Sequence, residues 1–375
     1  MSNPQSVIFR TQQLVRFPSY SGQEKTILNY IADELNKKDT RSFFQGNNLI
    51  VFLKGKDPSK AFIFNGHVDV VSLGDKNHWH HNPWQGEIID NRIFGRGTSN
   101  MKAGIACMME LADKFSKDKQ LPCDVWFTFV TQEETSSAGT KSFCHWFEKE
   151  GYSKKYKEMG AVFPEPTGFT KIGNGSRGNF FLKVTLTGEA GHSAAPKAIK
   201  HNAMAELVEI LETIKQTNRE WEEEFCGSCF TAPTITPTAI EGKSGSPNKI
   251  AERVEVVCDL RTIPEFHQEA YKQIEKRLVR SGVNITLMYP EAPPSFTPPD
   301  SKIVRALKKT VPNAQLNTCA YATDMGFTDE LGIKGVIFGP GQENQAHTID
   351  ESAPVDQILA APEIYAKLYY VWAES

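Results

Sequence analysis

Four apolar, strand-like runs in this chain each lead into a short motif that contains a histidine or acidic residues. The runs end just before residues 66–69 with His67 and Asp69, before Glu133-Glu134, before Glu165-Pro166, and before a Gly-Pro-Gly turn that leads to His347. In an open α/β sheet, ligands bind in the crevice beyond the carboxyl ends of the strands. Two histidines and several carboxylates in that place predict a zinc site, with enough ligands for two zinc ions.

Length, charge and cysteine usage narrow the class of protein. At 375 residues the chain exceeds one ordinary core, so two domains are expected. Basic and acidic residues nearly balance, at 42 and 45, which argues against nucleic acid or an anionic membrane as the main partner. The amino-terminal residues do not resemble a secretory signal, and no apolar stretch is long enough to cross a bilayer. Seven cysteines, an odd number, fit reduced thiols and predict a cytoplasmic protein. The CxxC sequence from Cys226 to Cys229 has no second pair and is interpreted as an incidental loop.

The order of segments predicts a discontinuous large domain with a smaller domain inserted in it. Residues 1–178 and 290–375 alternate strand-like and helix-like segments, as in a layered α/β domain. Residues 179–289 instead give the order β-α-β-β-α-β, which is the ferredoxin-like α+β arrangement. The predicted segments are strand 180–187, helix 202–216, strands 231–240 and 253–260, helix 264–280 and strand 283–288.

Two helices are predicted in the large domain. Ser21-Gly22-Gln23-Glu24 has the pattern of a capping box that opens a helix through Leu35. Residues 102–117, rich in alanine and methionine, predict a second helix.

His67 and Asp69 are two residues apart on an extended run, so their side chains point to the same face. This spacing suits His67 as a metal ligand, with Asp69 accepting the other ring N–H and fixing the tautomer. Taken alone, the pair is also compatible with an ordinary polar strand end.

The adjacent Glu133 and Glu134 can diverge on a loop, so that one binds metal while the other takes a proton from water. Zinc lowers the pKa of a water that it binds toward about 7, and a neighbouring carboxylate serves as the base. Glu165 stands before a proline that ends regular structure, and His347 stands in a polar loop. Each motif is weak alone, since isolated acidic pairs and loop histidines are usually solvated, and the argument depends on their shared position after strands.

These motifs, in this order, resemble the acetylornithine deacetylase / succinyl-diaminopimelate desuccinylase family of zinc-dependent amidohydrolases. That family also contains carboxypeptidases, dipeptidases and aminoacylases. The resemblance covers essentially the whole chain, through residues 66–71, 95–102, 133–134, 165–167, 191–194 and 338–341 with His347. It implies a zinc-aminopeptidase-like, mixed-sheet α/β catalytic domain, an inserted lid and dimerisation domain, and hence a homodimer.

The resemblance also implies residue roles. His67 and Glu165 would bind one zinc, Glu134 and His347 the other, and Glu133 would be the general base. Cobalt or manganese can replace zinc in such sites.

The inserted domain would supply three further residues. His192 would reach the active site of the partner subunit and polarise the scissile carbonyl. Asn248 and Arg261 would hold the substrate, since an arginine can bind a carboxylate through two hydrogen bonds.

Asn100 departs from the family pattern, in which Asp-Met-Lys ends this segment and the aspartate bridges both metals. The asparagine is neutral, and at about 4 Å even a screened interaction of two charges is worth several kcal/mol. We therefore expect weaker binding of at least one zinc, with one ion per chain possible, and lower turnover. An engineered substitution, a natural one-metal enzyme and a protein without catalysis are all compatible with this residue.

Residues 320–327 bear on the substrate, because they lack the glycine pair and arginine typical of the desuccinylase branch. An N-acyl amino acid such as N-acetylornithine is therefore the first expectation, with dipeptidase, carboxypeptidase and desuccinylase activities as alternatives. A binding protein that keeps the fold but not the hydrolytic site is the competing class, and Asn100 alone supports it. His78, His80 and His81 look like metal ligands, but a short proline-ended loop cannot readily aim all three at one ion.

Overall fold

The structure, a computed structural model, describes residues 5–375 and divides into two compact units. The first unit runs through Gly175 and continues at Phe296–Asn317 and Asp324–Ser375. The second unit comprises Ser176–Ser295 and Thr318–Thr323. The sequence analysis predicts an inserted domain over 179–289 and does not assign residues 318–323 to it. The second unit is therefore built from two separate stretches of the chain.

Nine strands form one mixed sheet, which carries the motifs of the first unit. The strands of the chain are β1 (Phe43–Gln45), β2 (Asn48–Leu53), β3 (Asp57–His67), β4 (Glu87–Ile89), β5 (Arg92–Phe94), β6 (Cys123–Val130), β7 (Glu158–Pro166), β8 (Lys171–Ser176), β9 (Gly178–Thr187), β10 (Gly191–His192), β11 (Thr234–Gly242), β12 (Lys249–Ile250), β13 (Arg253–Thr262), β14 (Val283–Leu287), β15 (Ser295–Phe296), β16 (Gln315–Cys319), β17 (Lys334–Gly339) and β18 (Ser352–Pro354). The order in the large sheet is β1-β2-β6-β3-β7-β17-β8-β15, with β16 paired to β8. A separate small sheet has the order β18-β5-β4.

Helices cover both faces of the large sheet. The helices are α1 (Gln5–Val15), α2 (Lys25–Asn36), α3 (Ala103–Ser116), α4 (Glu133–Ser136), α5 (Ala138–Lys149), α6 (Tyr152–Lys155), α7 (Ala203–Glu224), α8 (His267–Leu278), α9 (Lys302–Thr310), α10 (Met325–Glu330) and α11 (Val355–Glu374). Phe64 and Phe127 join the core cluster formed with α1, α2, α3, α9 and α11. Trp126, on the opposite face of β6, packs against Phe147 of α5 and Tyr152 of α6. Burial on both faces explains why β6 is apolar almost throughout.

The second unit confirms the ferredoxin-like prediction. Its strands and helices follow in the order β9-α7-β11-β13-α8-β14, and the sheet order β11-β13-β9-β14 is antiparallel throughout. Helix α7 is longer than predicted, because Thr217 and Trp221 continue the buried stripe that begins with Ile210 and Ile214. The short strands β10 and β12, which the sequence analysis did not predict, pair with each other.

The capping-box prediction at residues 21–24 is wrong. Helix α2 begins at Lys25, and its N-cap residue Glu24 makes no side-chain capping bond. The Glu24 carboxylate instead accepts the backbone N–H groups of Gly22 and Gln132. The Ser21 hydroxyl donates to Asp69. Asp69 and Gln132 are distant in sequence from Ser21 and Glu24, and a local capping pattern cannot anticipate such partners.

Two global features concern the environment of the protein. All seven cysteines are free, and five of them are buried. Among residues 5–375, no helix combines the length and the apolar character that a membrane span requires.

Candidate metal centre

The strands that precede the four motifs lie side by side, in the order β6-β3-β7-β17, and run parallel to one another. Their carboxyl ends therefore meet at one edge of the sheet. His67 ends β3, Glu165 lies near the end of β7, and Glu133 and Glu134 follow β6. His347 arrives from the loop after β17, with its Nε2 2.9 Å from Glu134 Oε1. The structure thus brings together all five side chains.

His67 is oriented through its Nδ1 atom, which leaves Nε2 in the cluster. The ring is buried, and Nδ1 lies 3.1 Å from the backbone oxygen of Asp69 and 3.5 Å from its carboxylate. The nearer partner is therefore the carbonyl, not the carboxylate that the sequence analysis names. Burial alone would lower the pKa of His67, but the charge of Glu165 and the bond to Asp69 raise this pKa well above its ordinary value.

The Asp69 carboxylate holds the turn that carries the two glutamates. It accepts the backbone N–H groups of Glu133 and Glu134, each at 3.1 Å, and the hydroxyl of Ser21 at 2.7 Å. These are first-turn donors of α4 that would otherwise lack a partner. Burial alone would raise the pKa of Asp69, but its hydrogen bonds with His67, Ser21 and Glu133 lower this pKa below its ordinary value. Ser21 therefore helps to hold this turn. Its sequence pattern predicted a helix cap instead of this contact.

Glu133 and Glu134 face different partners. Glu133 Oε2 lies 4.0 Å from His67 Nε2. Glu134 Oε1 instead accepts the amide N–H of Asn100 at 2.9 Å and lies 2.9 Å from His347. Burial raises the pKa of Glu133 well above its ordinary value, although the neighbouring His67 acts to lower it. The divergence expected from sequence is present.

Asn100 lies at the centre of the cluster. Its Oδ1 atom is 3.4 Å from His67 Nε2, and its Nδ2 atom is 2.9 Å from Glu134 and 3.1 Å from His347. The side chain therefore contacts the predicted ligands of both metal positions.

Glu351 fixes the backbone that presents Asn100, and the sequence analysis missed it. This carboxylate is fully buried and accepts the N–H groups of Gly97, Ser99 and Asn100 at 2.9, 2.9 and 3.0 Å. Arg96 also donates to it at 2.8 Å. An acidic residue four positions after the predicted ligand His347 was the available sign, but a single acid in a polar loop has no pattern of its own.

The side chains fit a metal centre. Imidazole nitrogens and carboxylate oxygens are the donors that zinc takes, and ligands about 2.0–2.1 Å from a tetrahedral ion lie about 3.3–3.4 Å from one another. His67 Nε2 and Glu165 Oε1 are 3.3 Å apart. In addition, His67, Glu133 and Glu134 each offer a ligand atom within 4.8 Å of the others. Glu133, predicted as a base, is thus near enough to be considered as a ligand.

The three predicted residues of the second unit do not all cluster. The backbone N–H of Ser193 donates to the backbone oxygen of Asn248, so His192, on β10, and Asn248, directly before β12, lie on neighbouring segments. Arg261 lies on β13, where its Nε and Nη2 atoms donate to Asp259 at 3.1 and 2.9 Å. A substrate carboxylate bound by Arg261 would therefore share the guanidinium group with Asp259.

The three loop histidines set aside as decoys have separate acidic neighbours. His80 Nδ1 lies 2.6 Å from Asp350, while His78 and His81 lie 3.9 and 3.8 Å from Asp75 and Glu87. Three different carboxylates engage them, so they do not converge on one ion.

Comparison with known proteins shows the family of the chain and its fold. The chain is similar in fold to the M20 family metallo-carboxypeptidase Sso-CP2 of Sulfolobus solfataricus, with a TM-score of 0.78, 17% identity and 100% of each chain covered. A tripeptidase of Staphylococcus aureus gives 0.79, 18% and 100% of each chain. The Bacillus subtilis YXEP protein, described as a dinuclear metal binding peptidase, gives 0.69 and 14%, with 99% of this chain and 98% of that one covered. A family model described as peptidase family M20/M25/M40 matches residues 63–370, and the chain belongs to that family.

Proposed function

We propose that this chain hydrolyses the amide bond of a short peptide or an N-acyl amino acid, with Glu133 as the general base. Membership of the M20 family makes the chain a metallopeptidase-like hydrolase. The observation that carries the proposal is the divergence of the adjacent glutamates. Glu134 contacts His347 and Asn100, while Glu133 faces His67.

The residues divide into ligands and acid–base groups. His67 and Glu165 would hold one metal ion, and Glu134 and His347 would hold a second. A zinc or similar ion supplies Lewis-acid polarisation of the substrate carbonyl and activation of water.

Glu133 accepts a proton from the attacking water and delivers it to the leaving amine. Burial raises its pKa, and this direction suits acceptance of the proton, because a carboxylate of higher pKa takes up a proton more readily. Asp69 keeps Glu133 in place through the backbone N–H that it accepts. The water attacks the carbonyl carbon, the C–N bond breaks, and the products are a carboxylate and an amine.

The substrate assignment begins with short peptides and includes N-acetylornithine. Carboxypeptidase, tripeptidase and dipeptidase enzymes are among the proteins of similar fold, which supports peptides. The absence of the desuccinylase pattern in residues 320–327 supports an N-acetyl amino acid. In both cases Asn248 and Arg261 would bind the substrate carboxylate, and His192 would polarise the scissile carbonyl.

We also propose a homodimer formed through the second unit. Strand β11 is an edge of its sheet, and its residue Ile240 is 52% exposed. On α7, Met204 and Val208 are 45% and 56% exposed. An exposed edge strand with apolar neighbours is suited to pairing with another chain. Light scattering coupled to size exclusion would give twice the mass of 41.9 kDa, and a monomer would contradict this assignment.

The test of the function is amine release from a panel of dipeptides, tripeptides, N-acetylornithine and N-succinyl amino acids, with zinc-loaded protein. Glu133→Gln should lower kcat by about 10²–10⁴-fold, the usual contribution of a general base. Zinc content should stay unchanged in this variant, which separates a base from a metal ligand.

Loss of zinc together with activity would make Glu133 a ligand and overturn its role as base. Asn100→Asp is measured beside the unsubstituted chain. If neither protein hydrolyses any member of the panel, the hydrolase proposal fails and the binding-protein alternative takes its place.

A further inference from the structure

We propose that this chain binds one divalent metal ion tightly, at His67 and Glu165, and that Asn100 weakens the second position at Glu134 and His347. The inference rests on the proposed function, because it concerns the same centre. It ranks the two metal positions by affinity, whereas the resemblance makes no difference between them.

The orientation of the Asn100 amide is set by Glu134. A carboxylate only accepts hydrogen bonds, so the Asn100 atom 2.9 Å from Glu134 Oε1 has to be the donor Nδ2. The reverse orientation would place two acceptor oxygens in contact at that distance. Consequently Oδ1 faces His67, at 3.4 Å from Nε2.

At the second position, Asn100 presents its amide N–H group to both predicted ligands. Nδ2 of Asn100 lies 2.9 Å from Glu134 Oε1 and 3.1 Å from His347 Nε2, and these two atoms are themselves 2.9 Å apart. Because a carboxylate only accepts hydrogen bonds, Asn100 Nδ2 and His347 Nε2 both donate to Glu134 Oε1, and the 3.1 Å between the two nitrogens is a contact of two donors. An amide NH₂ group has no lone pair to offer a cation. An ion at this position would therefore have to displace these contacts. It would also face the N–H group of Asn100 where the family pattern has a carboxylate.

At the first position, Asn100 presents its amide oxygen to the histidine. His67 Nε2 lies 3.3 Å from Glu165 Oε1 and 3.4 Å from Asn100 Oδ1, which matches the spacing of about 3.3–3.4 Å between ligands of a tetrahedral zinc. The amide oxygen of Asn100 is a neutral but usable donor for a hard cation. Asn100 thus serves as a ligand on one side and as a hydrogen-bond donor on the other.

The backbone of Asn100 is held in place by Glu351. Its N–H donates to Glu351 at 3.0 Å, and the neighbouring Ser99 N–H donates to the same carboxylate oxygen at 2.9 Å. The N–H of Gly97 and the guanidinium of Arg96 hold the other oxygen. Because these contacts involve only the backbone of residue 100, Asn100→Asp keeps them and changes the charge and the donor alone.

The test is zinc binding to the full, metal-free chain, measured by titration calorimetry and by elemental analysis after dialysis. The chain should bind one zinc tightly and a second at least about 100-fold more weakly, since even outer-shell changes cost about 10–100-fold in metal affinity. Asn100→Asp should bind two zinc ions with affinities within about tenfold of each other. This readout does not depend on any substrate.

Two variants, each replacing a carboxylate by an amide of the same size, locate the tightly bound ion. Glu165→Gln should remove it, and Glu134→Gln should leave it in place. The opposite result, or two ions of equal affinity in the unsubstituted chain, would overturn the inference. Two ions in Asn100→Asp but none in the unsubstituted chain would also overturn it, while leaving the hydrolase proposal standing for the centre. No zinc in either protein would instead defeat the proposed function.

Discussion

At the scale of single residues, the candidate centre depends on carboxylates that hold the backbone in place. Asp69 accepts the N–H groups of Glu133 and Glu134, and Glu351 accepts those of Gly97, Ser99 and Asn100. Neither carboxylate needs to contact a substrate in order to contribute to the site. Each replaces water around N–H groups that the folded chain has buried.

Glu351→Gln should destabilise the protein by about 3–5 kcal/mol, because it leaves the buried Arg96 without its charged partner. It also places an amide donor among N–H donors. The measurement is urea unfolding of the metal-free protein. The control is Glu343→Gln in the same loop, whose carboxylate is 45% exposed and 3.5 Å from Lys171. Its effect should stay within about 0.5 kcal/mol. Equal losses in the two variants would contradict the supporting role of Glu351.

At the scale of elements, the sheet and its helices meet at close contacts that tolerate no added volume. Gly160 of β7 faces Trp372 of α11, where a Cβ atom would lie 2.8 Å from the indole ring. Trp372 also contacts the ring of Phe62 on β3. The strand that carries Glu165 is therefore packed directly on the last helix.

Gly160→Ala should cost about 1–3 kcal/mol, the usual result of adding a methyl group to a filled core. Gly227→Ala is the control, because nothing lies within 4 Å of its added Cβ. Thermal unfolding followed by tryptophan fluorescence compares the two. A Gly160→Ala protein as stable as the unsubstituted chain would show that Trp372 can move aside.

His267, at the start of α8, makes the stability of the second unit depend on pH. Burial lowers the pKa of His267 below its ordinary value, and Nδ1 lies 2.7 Å from the Thr262 hydroxyl. Below about pH 6.5 the unfolded chain binds a proton that the folded ring does not, so stability falls as the pH falls. His267→Gln should show a smaller loss of stability between about pH 7.5 and 5.5 in urea unfolding. An identical slope in both proteins would contradict this assignment.

At the scale of the whole molecule, metal binding and folding are linked, because the ligands come from segments far apart in the chain. His67 and His347 meet only in the folded state. An ion that binds the folded chain and not the unfolded one raises the free energy of unfolding.

Zinc at about 100 times its dissociation constant should raise the free energy of unfolding by about 2.7 kcal/mol relative to chelator-treated protein. Glu165→Gln should lose this gain, whereas His78→Ala should keep it, since the carboxylate near His78 is that of Asp75 in its own loop. Urea unfolding with and without zinc gives the values. A gain that remains in Glu165→Gln but disappears in His78→Ala would place the metal ion in the loop of His78 instead.

Sequence reasoning was sufficient for the ferredoxin-like succession of strands and helices in the inserted unit and for the residues that converge on the centre. It was sufficient because strand and helix periodicities are local, and because residues that follow parallel strands share one edge of a sheet. The partners of Ser21 and Glu24, the role of Glu351 and the direction of the Asn100 amide emerged only from the folded arrangement. Those contacts join residues as much as 255 positions apart, and a hydrogen-bond donor is directed by the acceptor it meets in space.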